Sequence, residues 1–298
     1  MADTFTAVDL SRLLAPAVVE ALDFDTIFAA MLADLRLLLP EFDATVESDP
    51  VVKLLQVAAY RELLLRQRVN DAARAVMPAF ATGTDLDHLA ALLGVARLLL
   101  TPADPLNGIA AVYESDADLR RRMTLAPEGY SVAGPEGAYI FHALSADGDV
   151  LDASATSPAP GEVLVTILAR SGDGAADPAL VAKVDAWLSD ETRRPMTDHV
   201  TVQAASIVPF AVEADVTTFA GPDAAIVLAT ARRQLDELLE RSHRLGLDVT
   251  RARILAALAS PEGIHNVTLV QPAADLILNR TEAGWCTAVT IRAAGVGE

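Results

Sequence analysis

Cysteine is almost missing from this chain: Cys286 is the single one in 298 residues. No intramolecular disulfide can form, and a reducing compartment fits. Basic residues are scarce too, 23 Lys and Arg against 41 Asp and Glu, for a net charge of −18. Neutralising phosphate needs clustered Lys and Arg, so nucleic acid and anionic membrane are both excluded as expected partners. Aromatic residues make up only 5%, which leaves Ala, Leu and Val to fill the interior and favours helix-rich packing. The longest apolar runs, such as Leu98-Leu99-Leu100, fall far short of the roughly 20 residues that cross a bilayer. Met1-Ala2-Asp3-Thr4 lacks the basic start of a secretory signal.

Chemistry-bearing motifs are also wanting. His88, His142, His199, His243 and His265 show no HExxH, HxH or His–Cys spacing that would seat zinc. Asp147-Gly148-Asp149 and Asp173-Gly174 have the opening of a calcium loop without its remaining oxygen ligands, and read as turns. No GxGxxG follows a strand, and neither a P-loop nor a GxSxG elbow is present. Ser131 sits in a glycine-bearing loop, but a nucleophile needs a base in reach, and His142 on the following helix has no fixed relation to it. No catalytic residue, metal site or cofactor is expected, and the chain reads as a protein without enzymatic activity.

What the chain has in quantity is apolar surface: 52% hydrophobic residues and a mean hydropathy of +0.33. That exceeds what one domain's interior needs and points to all-round buried helices or broad partner surfaces. Residues 1–16 form an apolar arm. A helix is expected over 17–39, with a possible break near Asp23-Phe24-Asp25 and a buried face of Ile27, Phe28, Met31, Leu32, Leu35 and Leu38/Leu39. The clearest helix start is Asp49-Pro50, an N-cap followed by proline in the first turn. From there Val51, Leu55, Ala58, Leu65, Val69, Ala72 and Val76 recur at three-four spacing, interrupted by Glu62. Glu62 and Arg66 make an i,i+4 pair, and Arg61, Arg66, Arg68 and Arg74 form the main basic patch of an acidic protein. That patch reads either as a solvated face or as a seam for an acidic partner helix. Thr84 is expected to cap a short helix that ends before Gly94.

Pro102, Pro105 and Asn107-Gly108 mark residues 98–134 as a linker or excursion, with a short helix carrying Arg120-Arg121-Arg122 that reads as a solvated face or an anion holder. Pro135 opens a helix to about Ala146. Strands over 149–156 and 162–169 then form a hairpin. Asp177-Pro178 starts a helix with Leu180, Val181, Val184, Trp187 and Leu188 inward, and a strand begins at His199. A long strand or strand pair over 204–219, helices over 223–245 and 251–259, and strands at 263–270 and 285–292 complete a second block of the same general type, a hint of a structural repeat. The fold class is α+β, with a long-helix N-terminal segment before two small αβ blocks with antiparallel or mixed sheets. Its parts are the arm 1–16, a bundle-forming helical segment 17–97, the linker 98–134, a first αβ block 135–206 and a second 207–298.

In this order of features the chain resembles the baseplate assembly protein J family of contractile-tailed phages and phage-tail-like particles. The resemblance rests on Ala7-Val8-Asp9-Leu10-Ser11, Leu22-Asp23-Phe24-Asp25, Glu47-Ser48-Asp49-Pro50-Val51-Val52-Lys53-Leu54-Leu55 and Arg66-Gln67-Arg68-Val69-Asn70. It continues through Leu86-Asp87-His88-Leu89, Gly94-Val95-Ala96-Arg97, Ser131-Val132-Ala133-Gly134-Pro135, Pro160-Gly161-Glu162-Val163 and Arg194-Pro195-Met196-Thr197-Asp198. It implies a baseplate wedge component that sits in the virion tail and is assembled in the host bacterial cytoplasm. The implied partners are a second copy of itself, a companion baseplate protein of the I family, and other wedge, sheath-proximal or hub proteins. The expected contact residues are Val51, Leu55, Ala58, Arg61, Leu65, Arg68 and Val69 on the long helix, with Phe5 and Leu10 on the arm. The alternative is a tail-associated cell-wall hydrolase, which needs a paired acid and base or a metal, and neither is spaced for that work.

Overall fold

The computed structural model describes residues 10, 13–14, 16, 18–43, 46, 48–221 and 223–297. Helices come first: α1 (Phe24–Leu38), α2 (Pro50–Ala75) and α3 (Gly83–Ala91). A small hairpin, β1 (Leu99–Thr101) and β2 (Val112–Tyr113), precedes α4 (Asp116–Leu125). Then follow α5 (Glu136–Ala146), β3 (Val150–Thr156), β4 (Glu162–Ala169), α6 (Pro178–Leu188) and β5 (His199–Ala204). The chain finishes with β6 (Ser206–Phe219), α7 (Ala224–Ser242), α8 (Arg251–Ala259), β7 (Ile264–Gln271) and β8 (Glu282–Gly297). This is the expected α+β class. Backbone contacts divide the chain into a helical unit, Val8–Ala96 with Asp116–Arg120, and an αβ unit holding Arg97–Ser115 and Arg121–Glu298.

In the helical unit, local chemistry fixes where helices begin. Asp23 Oδ2 accepts from the Thr26 N–H at 2.8 Å and from its hydroxyl at 2.7 Å. The expected break near residues 23–25 is therefore the start of α1. Asp49 Oδ1 accepts from the Val51 N–H at 2.8 Å, with Pro50 in the first turn, as Asp49-Pro50 predicts. Thr84 does not cap α3: the helix starts two residues earlier than expected, at Gly83 with Thr82 as its N-cap, and Asp116 Oδ2, from a segment distant in sequence, takes the Gly83 N–H at 3.0 Å. α1 packs on α2, yet the only buried residues on the two helices are Ile27, Val52, Ala59 and Asn70. Asn70 spends both ends of its amide on Glu20, accepting from its N–H at 3.0 Å and donating to its carbonyl at 2.9 Å. On α1 the expected face is half-buried as far as Leu35, whereas Leu38 and Leu39 stay exposed because no described element of the unit covers the last turn.

The αβ unit has two three-stranded sheets. In the first, β3 pairs antiparallel and β5 parallel with the central β4. Val165, Ile167, Ala153, Val200 and Val202 form one face, buried against Tyr139, Ile140, Ala143 and Leu144 of α5 and Leu180, Val184 and Leu188 of α6. Trp187, expected inward, lies instead at the surface beneath the Arg193 guanidinium, 3.6 Å from the ring centroid. Its position one residue before buried Leu188 turns it off the core stripe. In the second sheet, β7 is antiparallel and β8 parallel to the central β6. Val212 and Ala214 face a core with Ala231, Leu235, Ile254 and Leu258 from α7 and α8, while on the opposite face Glu213 and Asp215 pair with Arg292 at 3.0 and 3.5 Å.

The two sheets share their pairing signs but not their connectivity. β4, the second strand of its block, is central in one, and β6, the first of its block, in the other. The hint of a repeat is thus limited to sheet composition. β5 passes into β6 with no break in pairing: the Ala205 N–H donates back to Ile167 O and the Ser206 N–H donates to Thr281 O, each at 2.9 Å. A small cluster of Leu168, Ala205, Leu245 and Ala283 fills the joint.

The arginine run of α4 is engaged within the chain rather than left as a solvated face. Successive helical residues point roughly 100° apart, so the three side chains fan out to separate targets. Arg120 donates to Pro78 O at 2.7 Å and Ala81 O at 2.6 Å. Arg121 pairs with buried Asp152 at 2.5 Å, and Arg122 pairs with buried Glu114.

Candidate interface on the long helix

α2 carries two apolar stripes, and among the described residues only one of them is covered. Val52 and Ala59 turn inward with Asn70. Val51, Leu54, Ala58, Arg61, Leu65, Arg68 and Ala72, at strict three-four spacing, are all exposed, Leu54 and Leu65 at 69% and 68%. Val57, Tyr60, Leu64 and Val69 widen this bare face. A 3.5-residue apolar repeat on one helix is the geometry of a helix–helix seam.

Of the residues picked from sequence, Val51, Ala58, Arg61, Leu65 and Arg68 share this stripe, and Val69 flanks it. Leu55 turns partly toward the inner side and is half-buried. Leu10 is half-buried, its carbonyl accepting from the Leu13 N–H at 3.2 Å, and Phe5 lies outside the described residues. Leu54, Val57, Tyr60 and Leu64 were not singled out by sequence. Two interleaved apolar repeats read alike there, and the docking of α1 together with the Asn70 amide decides which turns inward.

Several polar groups elsewhere hold local structure. Ser131 Oγ accepts from the Ala133 N–H at 3.2 Å, closing a turn. The same loop ends at Gly134, where φ is +75° and an added Cβ would lie 2.7 Å from Asp198 Oδ2 and 2.8 Å from Pro195 Cγ. Asp198 Oδ2 in turn accepts from the Tyr139 hydroxyl at 2.7 Å, and burial, then that carboxylate, push the Tyr139 phenol up. An open groove of about 410 Å³ between α7 and β8 is lined by Leu228, Ala229, Val289, Thr290, Ile291 and Arg232, and Arg232 is held by Asp236 at 2.9 Å. Among the described residues no His, Cys, Asp and Glu side chains group as a metal site.

His142 gives a pH prediction. Burial first, then the Arg193 charge, hold its imidazole below the ordinary 6.5. On acidification the unfolded chain therefore takes up this proton before the folded one, so the contribution is complete above about 6.5 and is lost as pH falls from there through the lower folded value. Thermal unfolding followed from pH 7 to 5 should show a falling Tm whose slope is shallower in His142→Gln; equal slopes would assign the acid sensitivity to other groups.

Three consecutive stretches match family models: the Baseplate J-like N-terminal domain at residues 47–104, the Baseplate J-like central domain at 131–204 and the Baseplate J-like protein C-terminal domain at 210–292. Baseplate protein J of Escherichia phage P2 is 45% identical over 300 residues, covering 98% of this chain and 99% of that protein. The chain belongs to the baseplate J family. As a baseplate J protein it is a structural component of the phage tail baseplate and so of the virion. The bare face of α2 falls within the J-like N-terminal stretch, and the joint at Ala205 lies between the J-like central and C-terminal stretches. In the cryo-EM structure of the anti-feeding prophage (AFP) baseplate, 6-fold symmetrised, one chain aligns at 14% identity and a TM-score of 0.38, over 61% of this chain and 43% of its own. That likeness is too distant to carry a structural argument.

Proposed function

We propose that this chain is a wedge component of a contractile-tail baseplate, joining the tail's centre to its periphery and to neighbouring wedges by protein–protein packing. Its partners in this reading are a second copy of itself, the companion I-family protein and other wedge, sheath-proximal or hub proteins. The arm with Phe5 and Leu10 and the helix with Val51, Ala58, Arg61, Leu65, Arg68 and Val69 supply the contacts, with Leu55 at the margin. The observation that carries this reading is the bare apolar stripe of α2: 26 residues of helix with three buried side chains. A helix this poorly covered gains its stability from tertiary packing that the described residues do not provide.

The test is the double change Leu54→Asp and Leu65→Asp. Both side chains are exposed, so the isolated chain should keep its helicity and lose less than about 0.5 kcal/mol of stability. Baseplates, scored by electron microscopy of lysates, should not form. Normal particles carrying this double variant would refute the reading.

A further inference from the structure

The bare stripe of α2 is not uniformly apolar, and its exceptions specify what covers it. Arg61 and Arg68 occupy two of its core positions one heptad apart, between Leu54 and Ala58 on one side and Ala72 on the other, with Leu65 between them. Both are exposed, and neither has a hydrogen bond or ion pair among the described residues. The other charged groups on this helix are mostly engaged: Lys53 with Gln56, Arg66 with Glu62 and Glu20, and Asp71 with Gln67. α2 carries five basic and two acidic side chains in a chain whose net charge is −18, so the excess of cation is local to this helix, and Arg61 and Arg68 place two of its cations on the stripe.

We infer that the stripe is the docking site for an amphipathic helix of a different protein, one that presents two carboxylates seven residues apart to Arg61 and Arg68. Charge opposes self-pairing through this stripe, so among the proposed partners the stripe goes to the different protein and the second copy to other contacts. Two copies packed face to face, parallel or antiparallel, bring four guanidinium groups into one apolar seam, where like charges are poorly screened. A carboxylate-bearing helix turns the same two positions into charge-assisted, bidentate contacts that also fix axial register. The apolar positions supply attraction, and the arginines supply partner choice. The inference rests on the proposal that this face of α2 is an assembly surface, and it deepens that proposal by naming the partner's chemistry.

Two synthetic helical peptides, each roughly four heptads long with Leu and Ala at core positions, provide the probe. One carries Glu at two core positions seven apart, and the other carries Lys there. The full-length chain should bind the Glu peptide at least about tenfold more tightly in calorimetry, a difference of about 1.4 kcal/mol, and the variant Arg61→Glu/Arg68→Glu should reverse the preference. Circular dichroism checks that this variant keeps its helices. Equal affinity for the two peptides overturns the inference, as does a homodimer in sedimentation that Leu65→Asp dissolves. In particles, Arg61→Glu/Arg68→Glu is expected to block assembly. Normal assembly of that variant alongside failure of Leu54→Asp/Leu65→Asp would overturn the charge pairing and leave the assembly surface standing.

Discussion

Glu114→Ala is expected to lower the unfolding free energy of the αβ unit by about 3–5 kcal/mol. The side chains of Glu114 and Arg122 keep only 2% and 6% of their exposure, so neither charge is hydrated. Arg122 Nε donates to Glu114 Oε2 at 3.1 Å and Nη2 to Oε1, a two-point fit. Oε1 also accepts from the Leu98 N–H at 2.9 Å. Truncating the carboxylate takes a two-point partner from a buried cation, which keeps its contact to Ser145 Oγ at 3.4 Å, and leaves the Leu98 N–H without this acceptor, which is the costly way to break an ion pair. Replacing both partners, Glu114→Leu with Arg122→Met, removes the desolvation cost along with the attraction and should restore most of the loss. Urea titration and calorimetry read both variants. A single-variant loss under about 1 kcal/mol would mean that the pair behaves like one in water.

Asp152→Ala should cost about 3 kcal/mol, and for a different reason. Asp152 sits where the β3–β4 register shifts, and one carboxylate there serves three groups. Its Oδ2 accepts from the Leu245 N–H at 2.9 Å, while Oδ1 accepts from the Ala153 N–H at 2.8 Å and from Arg121 at 2.5 Å. Two buried N–H groups lose their acceptor, at about 1–3 kcal/mol each. Arg121 adds less, because at 35% exposure it rehydrates once freed. Asp152→Asn keeps one acceptor oxygen and should fall between. Amide exchange locates the effect: Leu245 should lose protection in Asp152→Ala, and an unchanged Leu245 would show that this carboxylate is not what holds the loop after α7.

Elements that a few adjacent residues specify were legible in the sequence. Asp49-Pro50 and Asp177-Pro178 each cap the helix they were expected to cap, because a cap is a contact across two or three residues. The hairpin β3–β4 was legible from its alternation and turn, whereas the sequence placed the strand at His199 without saying that it pairs parallel to β4. Features fixed by distant partners were not legible. Nothing near Arg120-Arg121-Arg122 says that Pro78, Asp152 and Glu114 await them. β8, expected over 285–292, runs from Glu282 to Gly297, because pairing with the long β6 extends it through Ala and Gly residues that have little strand preference of their own. On α2 the heptad was visible, but its phase was not, since Leu54 and Leu55 fit equally well until α1 is in place.

The unbroken passage from β5 into β6 makes spacing at residue 205 more critical than chemistry. Side chains alternate sides along an extended backbone, so one extra residue there would invert every position downstream. Val212, Ala214 and Val216 would point to water, and Glu213 and Asp215 would be driven among the leucines of α7 and α8. Ala205 can thus be exchanged for another small residue far more readily than it can be duplicated or deleted. Its role is that of a phase marker, keeping the second sheet in step with the first.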